Sequence, residues 1–73
     1  MKISYKKLWV KLIEEDISKS SLRQKTGLSG GTMAKLAKHE TVALSVLLSI
    51  CEVLKCDIGD ICAAKPDDES IEN

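Results

Sequence analysis

Three cysteines (Cys51, Cys56, Cys62), one histidine (His39) and five basic residues within positions 18–38 carry most of the chemistry in this 73-residue chain. Zinc sites draw their ligands from close pairs such as C-x-x-C. The cysteines show no such spacing, and a free cysteine commonly packs as a small hydrophobe. We therefore expect no metal and no cofactor. An odd number of cysteines without paired spacing fits a reducing, cytoplasmic setting. Catalysis has less support still: His39 stands beside Glu40, and no serine has an evident His/Asp partner, so no enzyme is expected. The basic run is different. Lys19, Arg23, Lys25, Lys35 and Lys38 fall within 18–38 without one acid among them. That pattern points to a polyanion.

Net charge conceals this asymmetry. The chain is formally neutral, yet residues 1–38 sum to +6 and residues 39–73 to −6. A charge block is most often a solvated face. Here it coincides with a motif, and that gives it weight. The opening MKISYKKLWVKLI is basic, but Lys11 interrupts it before a signal-peptide core can form. The run VALSVLLSICEVL is short for a membrane span and carries Ser45, Ser49 and Glu52, so it reads as a buried helix.

The elements that position the basic run are helical. Tyr5, Leu8, Trp9, Leu12 and Ile13 form a helical stripe over about Ser4 to Glu15, with Ser4 as N-cap. A second helix begins at Ser18, where Ile17 and Leu22 have hydrophobic-staple spacing. Gly27 ends it in the left-handed conformation. A third follows at once, with Ser29 as cap, Leu28 and Met33 as staple, and Leu36 and Ala37 on its buried face. Two short stapled helices joined at Gly27-Leu28 predict a helix-turn-helix corner. The fourth helix, about Ala43 to Lys55, buries Leu44, Leu47, Leu48, Ile50, Cys51 and Leu54. Asp57 caps a short fifth helix holding Ile58 and Ile61. We expect no strand. The ordered domain spans 1–64, and 65–73 (KPDDESIEN) reads as a frayed acidic tail.

The run SKSSLRQKTGLSGGTMAKLAKHE resembles the helix-turn-helix of Xre-like regulators, the phage repressor and Cro type. The run SVLLSICEVLKCDIGDI resembles a signature of small members of that family: an apolar helix reading L-x-x-I-C-x-x-L-x-C, then a Gly-Asp-Ile corner. Together they cover roughly residues 4 to 63. The resemblance implies an all-α, five-helix, lambda-repressor-like DNA-binding domain whose third helix, about 30–38, enters the major groove. It makes Gly30, Gly31, Thr32 and Lys35 the base-reading positions. Ser18, Lys19 and Ser29 fall at phosphate-binding positions, and Lys38 and His39 join them from the end of the third helix. The partner implied is double-stranded DNA, bound by a homodimer that meets through Ile58 and Ile61; no membrane and no small-molecule effector is expected. A protein-interaction module on the same scaffold is the alternative, and a metal-responsive regulator a distant third.

Two positions depart from the family's pattern. Lys19 stands where a glutamine is frequent. Gly30 and Gly31 stand where long polar side chains open the recognition helix. Glycine costs less in a first turn than in a helix interior, and it allows the backbone close to a phosphate or base edge. Three accounts are open: the glycines bring helix and groove together, leaving specificity to Thr32 and Lys35; they permit tight packing of helices within the chain; or they mark weakened sequence-specific contacts.

Overall fold

The computed structural model describes residues 1–67. Its order is β1 (Lys2–Ser4), α1 (Lys6–Glu14), α2 (Lys19–Thr26), α3 (Gly30–Ala37), α4 (Leu44–Leu54), one 3-10 turn (Ile58–Asp60) and β2 (Ala63–Lys65). Two expectations change. Among the described residues there are four α-helices, not five, because the fifth is a single 3-10 turn in which Asp57 N–H donates to the Asp60 carboxylate at 3.0 Å. Two short strands are also present, antiparallel, with Lys2 opposite Lys65 and Ser4 opposite Ala63. Three residues are too few to display an alternating pattern, and the partners lie at opposite ends of the chain. Lys65, expected to start the tail, closes β2 instead; residues 68–73 of that expectation lie outside the described residues.

The helix starts follow the local signals. Ser18 Oγ accepts from Ser21 N–H at 3.0 Å, and Ser29 Oγ accepts from Thr32 N–H at 3.1 Å. Each serine thus satisfies one of the amides that a helix start leaves unpaired. Gly27 adopts φ 74°, the left-handed geometry that turns the chain between α2 and α3. At α1 the cap position belongs to Tyr5, whose side chain makes no cap bond, while Ser4 Oγ accepts from the Lys6 N–H at 3.4 Å. Tyr5 instead faces inward and is fully buried.

One core joins every helix: Tyr5, Leu8 and Leu12 of the α1 region, Leu22, Leu36, then Leu47, Ile50, Cys51 and Leu54, closed by Ile61 and Cys62. At about 25 cal/mol per Å² of apolar area buried, these side chains supply the main driving force of folding. Four expected core positions fall outside it. Ile13 is 79% exposed because the buried arc of α1 centres on Tyr5, Leu8 and Leu12, leaving Ile13 beyond its Trp9 edge. On α4 the arc centres on Ile50 and Leu54 with Val46 and Val53 beside them, so Leu44 and Leu48 sit past Cys51 and are 59% and 52% exposed. Ala37 is exposed for the same geometric reason, one position past Leu36.

The end of α4 has a specific geometry. Lys55 takes φ 55°, and Cys56 N–H reaches back to the Cys51 carbonyl at 3.1 Å. This six-to-one closure is that of a Schellman cap, with the Lys55 N–H sharing the same Cys51 carbonyl, and a side-chain contact across the helix end frequently accompanies it. Among the described residues no helix is long and apolar enough to cross a membrane.

Candidate nucleic-acid interface

The corner made by α2 and α3 gathers most of the residues singled out by sequence. Ser29, Gly30, Gly31 and Thr32 form the first turn of α3, and Lys35 follows one turn on, exposed. Ser29 caps only the Thr32 amide, so the N–H groups of Gly30 and Gly31 have no intrahelical acceptor. They point outward from the positive end of the helix dipole, where a negatively charged group is favoured. Thr32 is half-buried, and its hydroxyl lies 3.0 Å from that of Ser29. Its polar end is therefore engaged within the chain, leaving the methyl as its free chemistry.

The surroundings of the glycines bear on the packing account alone. A methyl on Gly30 would lie 3.8 Å from an Arg23 guanidinium nitrogen, and one on Gly31 would lie 3.9 Å from Ser29 Oγ. Both are ordinary van der Waals separations. Both residues are exposed, and neither has positive φ. No close packing within this chain requires glycine at either position.

Arg23 is the residue that sequence reading undervalued. It counted there only as charge, yet Nε donates to the Leu28 carbonyl at 3.2 Å, which fixes the guanidinium across the turn beside Gly30. The available signal was its place in the last turn of α2, four residues before Gly27. Lys19 is likewise positioned: its ammonium lies 4.7 Å from the centre of the Trp9 ring, a cation–π contact at the start of α2. Among the described residues, none of the five basic side chains of 18–38 joins an ion pair; the one ion pair present joins the Met1 ammonium and Asp67.

At the other end of α3, Lys38 is exposed at the helix C-terminus and His39 follows with φ 58°. His39 Nδ1 accepts from Tyr5 N–H at 3.0 Å, and its ring stacks on the Tyr5 ring. The Tyr5 hydroxyl in turn donates to the Glu40 carbonyl at 2.8 Å. This latch ties the loop after α3 to the start of α1. Accepting at Nδ1 places the proton of neutral His39 on Nε2, the nitrogen left to contact an external group.

The proposed dimer contacts fare differently from each other. Ile58 is half-buried, but Ile61 is 0% exposed in the single chain. Ile61 is therefore corrected from a surface contact to a core residue: it turns inward after the 3-10 turn and has no area left for a partner. Cys51 and Cys62 are buried and Cys56 is half-buried, all as free thiols. Burial, then the neighbouring Cys56, pushes the Cys51 thiol up to about 11. Among the described residues no group of three or more His, Cys, Asp or Glu is arranged to hold a metal ion.

Capped α2, a left-handed glycine turn, and an exposed α3 start with the Arg23 guanidinium beside it define a helix-turn-helix domain. A model of the Cro/C1-type helix-turn-helix DNA-binding domain matches residues 7–67, and the chain belongs to that family. Its fold is similar to the crystal structure of the transcriptional regulator VanUg (Form II), at 53% sequence identity and a TM-score of 0.88, covering 90% of this chain and 88% of that one. No curated protein matches the chain significantly.

Proposed function

We propose that the protein is a transcriptional regulator that binds duplex DNA with α3 in the major groove and acts as a homodimer. The observation that carries this reading is the start of α3, where two bare glycine amides stand beside the Arg23 guanidinium, with exposed Lys35 one turn further along the same helix. In this reading Gly30, Gly31, Thr32 and Lys35 face the bases. Lysine donates to guanine O6 or N7, and a threonine methyl touches the thymine methyl. Ser18, Lys19 and Ser29 at the two helix starts meet phosphates, joined by Arg23 beside the turn and by Lys38 and the free nitrogen of His39 beyond α3. Two copies that meet in part through Ile58 would present their α3 helices about 34 Å apart, one turn of DNA.

Selection from a random duplex library at physiological salt tests the proposal. The expected result is one enriched palindrome whose half-sites are spaced by a helical turn. Its affinity should fall steeply with salt, by a log–log slope of about 0.9 for each phosphate neutralised. Recovery of no preferred duplex, with feeble and shallow salt dependence, would favour an acidic protein as the partner of the same face.

A further inference from the structure

We propose that Cys51 and Cys56 form a modification site: a thiol pair that a peroxide closes into an intramolecular disulfide across the end of α4. The five-residue spacing looks wrong for a paired site only while the chain is imagined as continuous helix. The left-handed Lys55 reverses the backbone there, and the Cys56 N–H bonds to the Cys51 carbonyl at 3.1 Å. In a Schellman cap a side-chain contact between these two positions is frequent, and here Cys56 is a close neighbour of the Cys51 thiol. Disulfides need that kind of approach between the two backbones. Both cysteines also line one open surface cleft of about 730 Å³, with Leu48, Lys55 and Asp57 among its walls. Cys62, whose Sγ lies 3.5 Å from the Ile58 carbonyl, is not part of that lining.

Their unequal exposure assigns the order of events. Cys56 is the more exposed, while the buried Cys51 is held as a neutral thiol. The Cys56 thiolate attacks one peroxide oxygen, breaking the O–O bond and giving a sulfenic acid and hydroxide. Hydroxide takes up the proton Cys56 lost and leaves as water. Cys51 sulfur then displaces the sulfenic hydroxyl, forming the S–S bond; the departing hydroxide carries off the Cys51 proton as a second water. Two thiols are oxidised by two electrons and one peroxide is reduced. Glu52, Asp57 and Asp60 line the same cleft against the single Lys55, which favours a neutral oxidant over an anionic disulfide such as oxidised glutathione.

The test treats the reduced full chain with hydrogen peroxide, blocks remaining thiols by alkylation and digests with trypsin, which cuts after Lys55 between the two cysteines. The expected product has lost two hydrogens and yields a peptide ending at Lys55 linked to one beginning at Cys56, and fragmentation of that pair places the bond on Cys56, not on the Cys62 of the same peptide. That link should persist in Cys62→Ser, disappear in Cys56→Ser, and give way to mixed pairings when the oxidation is run in concentrated urea. Survival of the link in Cys56→Ser, or the same mixed pairings in the folded wild-type protein, would overturn the proposal. So would oxygen addition, or covalent dimers, without loss of two hydrogens within one chain.

Discussion

Replacing Gly30 and Gly31 together by alanine separates what the helix start does for folding from what it does for DNA. Alanine is favoured over glycine by about 1 kcal/mol in a helix interior. In the first turn the gain is smaller, and the pair should add about 0.5–1 kcal/mol. The new methyls meet only Arg23 and Ser29, at 3.8 and 3.9 Å, and neither backbone is in the left-handed region, so no strain offsets the gain. For a domain of this size the melting temperature should rise by roughly 2–8 °C. On DNA the effect should reverse. Both methyls project from an exposed helix start; if that surface meets the groove, they hold α3 away from it. A loss comparable to that of one good base contact, about 1–3 kcal/mol or roughly 5- to 150-fold in Kd, follows. Thermal melts and fluorescence-anisotropy titration of the selected duplex, run on both proteins, read the two effects independently. A more stable double variant with unchanged affinity would refute close approach by the bare backbone.

Three further outcomes are expected. Lys35→Ala should weaken the preferred duplex by about 1–3 kcal/mol and random duplex by less; equal losses on both would make Lys35 a phosphate contact. Ile61→Ala should lower the unfolding free energy by about 2–5 kcal/mol in urea titrations, independently of protein concentration, because the side chain fills the core of one chain. Alkaline pH should destabilise the fold, since burial favours the neutral Cys51 thiol: that stability is intact below about pH 9 and lost as pH rises through about 11. The size is about 2–3 kcal/mol between those limits, with buried Tyr5, also shifted up by burial, acting in the same direction. Cys51→Val should flatten the profile of unfolding free energy against pH, and a slope unchanged in that variant would assign it to other groups.

What was legible in the sequence was local. Ser18 with Ile17, Gly27, and Ser29 with Leu28 announce their structures within four or five residues, and all three behave as their types require. The basic run was legible for the same reason, being a matter of neighbours. Long-range placement was not. The two strands pair across nearly the whole chain, and the Tyr5–His39 latch spans 34 positions with nothing in either segment to signal it. Ile13, Leu44 and Leu48 have the residue type of a core, but which edge of an apolar arc turns outward depends on what packs opposite. Arg23 was visible as charge; its anchoring to the Leu28 carbonyl depends on a turn that had first to be folded.

The pairing of Lys2 with Lys65 has a consequence for the order in which this molecule assembles. Bringing those residues together closes a loop of nearly the entire chain, and the entropy of closure grows with the logarithm of its length. The α2–α3 corner needs only contacts between close neighbours in sequence, and such contacts form early. The ribbon is thus the last part to close and, with few apolar contacts of its own, the first to open. Amide protons of Ile3 and Ala64 should exchange with solvent long before those of Leu22 and Leu36. The β1–β2 ribbon can come apart while the α2–α3 corner stays folded.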